Sequence, residues 1–186
     1  MQTVQIIGTL FFLSELTLLI VKRSRSGKAP QQGDRDKHSL LILWVTICVS
    51  MTLGMTFTRQ WGLWLPFYLQ TAGIVIAVAG MILRWISILQ LGRLFTVDVA
   101  IRDSHQLKTS GLYKYVRHPS YAGLLLIVAG MGFATGSLIS TLVMVIPIFL
   151  ALQYRIRTEE AALLAAFGDS YRDYCQRTSR LIPGIY

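Results

Sequence analysis

The chain is poor in charge, in cysteine and in the short motifs that mark most soluble enzymes. Only 15% of its 186 residues are charged while 53% are hydrophobic, and mean hydropathy is +0.53, which excludes an ordinary soluble domain. Two cysteines, Cys48 in an apolar run and Cys175 near the C-terminus, make neither a disulfide framework nor a metal-ligand spacing, so no structural zinc is expected. A phosphate-cradling glycine loop, a Ser-His-Asp arrangement and a metal-ligand cluster are all missing. The first apolar run, Val4 to Val21, has no basic leader and no small-residue cleavage site, so it reads as a retained transmembrane helix.

Acidic residues are scarce too, 9 against 18 Lys and Arg, for a net charge of +9. That excess does not form an aromatic-studded nucleic-acid face but clusters between apolar runs, as topology signals do. Six basic residues fall between Lys22 and Lys37, five between Arg93 and Arg117 and five from Arg155 onward. Only Arg59 lies opposite, and Arg84 lies within an apolar run. The positive-inside rule then predicts an outside N-terminus, five membrane crossings and a cytoplasmic C-terminal tail. The expected fold is an all-α integral membrane protein of about five transmembrane helices, with a cytoplasmic cofactor pocket formed by a loop and the C-terminal helices.

The remaining runs are Leu40 to Phe57, Pro66 to about Leu91, Tyr121 to Ala134 and Leu138 to Tyr154. The run from Pro66 exceeds the ~20 residues that a membrane core needs, so its last turns reach the interface. Gly73, Ala77 and Gly80 stripe one face of it, where small residues let a neighbouring helix approach. Thr135-Gly136-Ser137 predicts a tight helical hairpin, and Pro147 lies in its second arm, where it is expected to kink the helix. Lys22 to His38 reads as a polar loop. Phe95 to Ile101 alternates apolar and polar residues, predicting an extended segment or small hairpin with His105 as a loop residue. Ser110-Gly111 signals a turn. The tail from Arg155 is helical in pattern to Phe167; Gly168 stops it and Asp169 caps a further helix. Glu15, inside the first run, must face other helices or a polar cavity, with helix packing its simpler role.

The chain is organised around Arg117-His118-Pro119-Ser120-Tyr121, set just before an apolar run. Pro119 favours a helix start there and biases His118 away from helix. The free N–H groups of that first turn attract anions, and Arg117, His118 and the Tyr121 hydroxyl add donors; the plainer alternative is an interfacial anchor. With Arg84, Arg155 and the Glu159-Glu160 pair on the same predicted face, the residues suit a group transfer that depends on positioning more than on acid-base machinery. An exposed Arg155-Glu159 ion pair one turn apart is the plainer reading of those two.

Leu83-Arg84-Trp85, Leu91-Gly92-Arg93, Gly111-Leu112-Tyr113, Arg117-His118-Pro119-Ser120-Tyr121-Ala122-Gly123, Arg155, Glu159-Glu160, Phe167-Gly168-Asp169-Ser170-Tyr171 and Ile182-Pro183 together resemble the isoprenylcysteine carboxyl methyltransferase family, its prokaryotic type, over roughly residues 80–186. The resemblance divides a single membrane domain into N-terminal helices without catalytic motif, 1–79, and a methyltransferase core, 80–186. It implies S-adenosylmethionine as methyl donor, no metal, and a lipophilic acceptor entering from the bilayer, most simply a prenylcysteine-like carboxylate. It assigns Arg117, His118, Tyr121, Glu159 and Glu160 to the cofactor and Arg84 and Arg155 to the acceptor. A carboxylate acceptor is already ionised and needs no general base. Phospholipid amine methylation, a nicotinamide-dependent reductase of the sterol type and a non-enzymatic membrane protein are the alternatives.

Overall fold

A computed structural model describes residues 2–21, 33–57, 63–92 and 107–185. Among these described residues are six α-helices: α1 (Gln2–Val21), α2 (Gly33–Phe57), α3 (Phe67–Leu91), α4 (Pro119–Ala134), α5 (Leu138–Phe167) and α6 (Asp169–Arg177). No strand occurs among the described residues, only the isolated bridges Trp64–Ser137 and Val116–Ser179. The all-α expectation holds. His38–Thr56, α3 and α5 are long and apolar enough to cross a membrane, and Val4–Leu18 and α4 are shorter apolar helices. The extended segment expected at 95–101, His105 and the link at 59–62 lie outside the described residues.

The centre of the bundle is α4. Leu124, Ile127, Val128 and Met131 are buried along it, against Ala77 of α3 and Met144, Ile148 and Leu152 of α5. Val4, Ile7 and Phe11 of α1 and Leu43 and Ile47 of α2 complete that core. Its outer faces carry exposed Ile82, Leu89 and Leu150, as suits a surface solvated by lipid. The small-residue stripe does what its spacing implies. A Cβ on Gly80 would lie 2.7 Å from both Gly123 O and Ile127 N, and one on Gly73 would lie 2.6 Å from Gly130 O. The α3 and α4 backbones therefore touch where side chains would hold them apart.

Two boundaries differ from expectation, at the start of α2 and at the cap of α6, while the expected helix stop at Gly168 is found. Gly33 to His38 is the first turn and a half of α2, not loop. The helix of the C-terminal tail is the uninterrupted continuation of the last apolar helix, 30 residues from Leu138 to Phe167, because no glycine or proline separates Tyr154 from Phe167. At ~45 Å it outreaches a ~30 Å hydrocarbon core and carries its polar end out of the membrane. Asp169 is not the cap of α6: Gly168, at φ +51°, holds that position, and Asp169 pairs with Arg172 at 2.9 Å. The hairpin turn is as expected, with Gly136 at φ +80° and the Ser137 hydroxyl capping α5 by accepting from Ser140 N at 3.2 Å. Pro147 lies inside α5.

The links pin the two ends of the bundle. At one end Leu65 N donates to Gly136 O (2.7 Å) and Leu138 N to Leu63 O (3.0 Å). At the other, Leu112 N donates to the Gln90 side chain at the end of α3, while Arg117 N and His118 N donate to Ser179 O and Arg180 O. The end of α3, the start of α4 and the strand-like segment after α6 thus meet.

Candidate functional site

Pro119 is the first residue of α4, and His118, at φ −123°, ψ 59°, is its N-cap. Fixed φ and the absent N–H suit proline to that place. The backbone bonds to Ser179 and Arg180 hold Arg117 and His118 beside the polar end of α5, where two carboxylates take different roles. Glu160 Oε1 accepts from Arg117 Nε at 3.0 Å and lies 3.3 Å from His118 Nε2; its Oε2 lies 2.7 Å from Arg180 Nη2. Three basic groups therefore enclose Glu160. Glu159 Oε2 accepts from the Tyr121 hydroxyl at 2.9 Å, with His118 Nδ1 3.9 Å away. Its side chain is 29% exposed, and among the described residues its second oxygen has no hydrogen-bond partner. The His118 and Tyr121 rings stack with centroids 5.6 Å apart.

Arg117 reaches further. Its Nη1 donates to Cys175 O at 3.0 Å and to Thr178 O, tying α6 to the start of α4. Below it the Tyr174 hydroxyl donates to Tyr113 O at 2.6 Å and the Tyr113 hydroxyl to Ser87 O at 3.3 Å. Burial drives the phenols of Tyr113, Tyr174 and the neighbouring Tyr171 of α6 up. Tyr174 rises to about 12, opposed by the nearby Arg117 cation. Tyr113 and Tyr171 rise well beyond the ordinary phenol, reinforced by Glu159 and Glu160 respectively. Tyr113 and Tyr174 are neutral donors at any physiological pH.

The two candidate acceptor arginines are buried, 8% exposed for Arg84 and 2% for Arg155. Arg84 donates from Nε to Glu15 Oε1 (2.5 Å), from Nη2 to Glu15 Oε2 (2.7 Å) and from Nη1 to Ser120 O (3.1 Å). This two-pronged grip on a carboxylate rules out an arginine reaching for lipid headgroups. Removing either member of such a buried pair costs ~3–5 kcal/mol. Arg155 donates from Nη1 to Ser39 Oγ (2.8 Å) and from Nε to the Tyr121 hydroxyl (3.4 Å). Tyr121 thereby stands between Arg155 and Glu159, and the local ion pair suggested by their spacing gives way to contacts across helices.

All seven candidate residues gather at one end of the bundle. Ser39, Arg180 and Tyr174 join them without having been legible beforehand. Ser39 is one hydroxyl at the start of an apolar run, and Arg180 is one of many tail arginines. Glu15 carried half a signal: an intramembrane carboxylate needs a partner, but residue order did not say that the partner is Arg84. An apolar recess of about 510 Å³ between α2 and α5, lined by Val45, Val49, Leu53, Ile146 and Pro147 among others, includes none of the site residues.

A family model, that of the isoprenylcysteine carboxyl methyltransferase (ICMT) family, matches residues 73–165, a span containing all seven. The chain belongs to the isoprenylcysteine carboxyl methyltransferase family. It is 33% identical over 177 residues to protein-S-isoprenylcysteine O-methyltransferase B of Arabidopsis thaliana, covering 94% of this chain and 88% of that one. It is 37% identical over 118 residues to the protein-S-isoprenylcysteine O-methyltransferase of Schizosaccharomyces pombe, covering 62% of this chain but only 50% of the relative. Among solved structures, that of a eukaryotic intramembrane Ras methyltransferase of the same type superposes with a TM-score of 0.67 over 96% of this chain and 64% of that one, at 23% identity. The fold is that of a membrane methyltransferase of this family, and the chain spans half to two thirds of the length of these last two proteins.

Proposed function

We propose that the protein transfers a methyl group from S-adenosylmethionine to the carboxylate of a lipophilic, prenylcysteine-like acceptor. The observation that carries this reading is the gathering of Arg117, His118, Tyr121 and the Glu159-Glu160 pair at the polar end of α4 and α5, beside two buried arginines, in a chain of this family. The donor set fits the cofactor. Its amino-acid end is a zwitterion, and the site offers N–H donors at Arg117 and His118 together with a carboxylate, Glu159, that the Tyr121 hydroxyl holds by one oxygen and that keeps the other open. Glu160 is already enclosed by Arg117, His118 and Arg180, so its role is to hold those donors in place. When bound, the cofactor supplies an electrophilic methyl on a sulfonium.

The protein's own residues would bind and orient. Arg155, held by Ser39 and Tyr121, and Arg84, held by Glu15 and Ser120, fix the acceptor carboxylate in a low-dielectric site where directed N–H donors act strongly. No proton need be removed from an ionised carboxylate. The site end is read as cytoplasmic and the N-terminus as outside, with five crossings, from the placement of the basic residues.

The test is calorimetric binding of S-adenosylmethionine against NADPH in detergent, followed by turnover of prenylcysteine analogues beside free fatty acids and phosphatidylethanolamine. Binding of S-adenosylmethionine with methylation of the prenylcysteine carboxylate is expected. In Arg84→Lys the rate should fall at least roughly tenfold, because a point charge cannot reproduce a planar fork, while cofactor binding stays near normal. Turnover of the amine alone, or binding of NADPH alone, would refute the reading.

A further inference from the structure

Glu15 has no place in the methyl-transfer reading as it stands. It belongs to α1, outside the residues 73–165 matched by the family model, and sits in no motif. Yet it is 4% exposed, and both of its oxygens lie on one guanidinium. We infer that Glu15 is a positioning residue for the acceptor: it fixes the plane of Arg84, so that the donors left on that guanidinium point in one set direction. The inference rests on the methyl-transfer reading above.

A guanidinium carries five N–H donors in a single plane. Glu15 takes the Nε donor and one on Nη2, and Ser120 O takes one on Nη1. Two donors remain, one on each terminal nitrogen, enough for one further carboxylate. The three contacts come from α1 and α4 onto a side chain of α3. Rotation about the last bonds of Arg84 would break all of them together. Ser120 immediately precedes Tyr121, so the same contacts set Arg84 relative to the residues that face the cofactor.

A different arrangement would have the acceptor displace Glu15 from Arg84. That would strand a buried carboxylate without its cation inside a membrane protein, at heavy cost. The acceptor instead meets a pair that persists. The pair is neutral overall, so it recognises a carboxylate by the direction of its donors and not by net charge, which makes the aim of Arg84 decisive for rate.

Glu15→Asp separates aim from charge, because it keeps the ion pair but draws the carboxylate back by one methylene. The expected result is a fall in kcat of roughly tenfold or more, from a displacement of order 1 Å, with the melting temperature near that of the wild type and the Kd for S-adenosylmethionine within about twofold. An activity-free readout accompanies it. The wild type should bind a prenylcysteine analogue as free acid more tightly than as methyl ester, and Glu15→Asp should narrow that preference. Glu15→Gln should lose more than Glu15→Asp. An Asp variant with unchanged kcat, KM and acid-over-ester preference would make Glu15 a fold support only, and a Gln variant with raised kcat/KM would make it a competitor; either overturns the inference. If the wild type itself methylates no carboxylate, the functional reading fails and this inference falls with it. An active wild type with an unaffected Asp variant overturns this inference alone.

Discussion

Adding one methyl group at Gly123 tests how the helix interface governs the site. A Cβ there would lie 2.8 Å from Arg84 N, 2.8 Å from Gly80 O and 2.9 Å from Arg84 Cβ, where ordinary contact begins near 3.4 Å. Two of these three are backbone atoms, so no side-chain rotation relieves the crowding and α3 and α4 must part by ~0.5 Å. The Arg84 Nη1 to Ser120 O bond, now 3.1 Å, would then stretch to ~3.6 Å, beyond a real hydrogen bond. Overpacking of this kind costs ~1–3 kcal/mol, offset by ~1 kcal/mol of helix propensity gained on replacing glycine by alanine. The net expectation is a loss of about 0–2 kcal/mol in unfolding free energy, with methyl transfer falling about tenfold because Arg84 moves relative to α4. Gly8→Ala is the matched control. Its Cβ would meet only the mobile ends of Met131, at 3.0 Å, and Met55, at 3.9 Å, so it should be neutral or slightly stabilising. Denaturant unfolding in detergent micelles and initial rates with a prenylcysteine analogue measure both effects. A Gly123→Ala protein as stable as Gly8→Ala and fully active would refute the close-packing argument.

Other expectations are as direct. Tyr121→Phe removes the donor to Glu159 and the acceptor for Arg155, and should weaken S-adenosylmethionine binding by ~1–3 kcal/mol, read by calorimetry. Glu160→Gln should weaken it through Arg117 and His118, whose shared carboxylate it removes, and equal affinity in both variants and the wild type would return the motif to an interfacial anchor. Tyr174 is raised from its ordinary value near 10 to about 12, so its contribution to stability is complete below pH 10 and is lost as pH rises towards 12. Melting temperatures should fall across that window and fall less in Tyr174→Phe. Topology reporters placed at Lys108 and after Ile185 should report the cytoplasm and one at Trp64 the outside, with a cytoplasmic signal at Trp64 refuting the assigned sidedness.

Apolar run length and punctuation made the helices legible from residue order alone, since a membrane core admits few alternatives to helix. The start of α4 at Pro119, the turn at Gly136 and the close contact of Gly73, Ala77 and Gly80 with a neighbour are each governed by backbone geometry within a few residues. The motif residues at 117, 118, 121, 159 and 160 could be gathered on one face by counting basic clusters. Partnership could not be read in this way. Glu15 and Arg84 are 69 residues apart and Ser39 and Arg155 are 116 apart, and only the packing of α1 and α2 against the rest decides which buried polar group meets which. The division of the chain into motif-bearing and motif-free parts concealed this, because the motif-free helices supply the groups that hold both arginines. The difference between the adjacent Glu159 and Glu160 is also tertiary. Successive residues on a helix point about 100° apart, so one carboxylate turns into the cluster of Arg117, His118 and Arg180 while the other keeps an open oxygen, and no rule of local sequence distinguishes them.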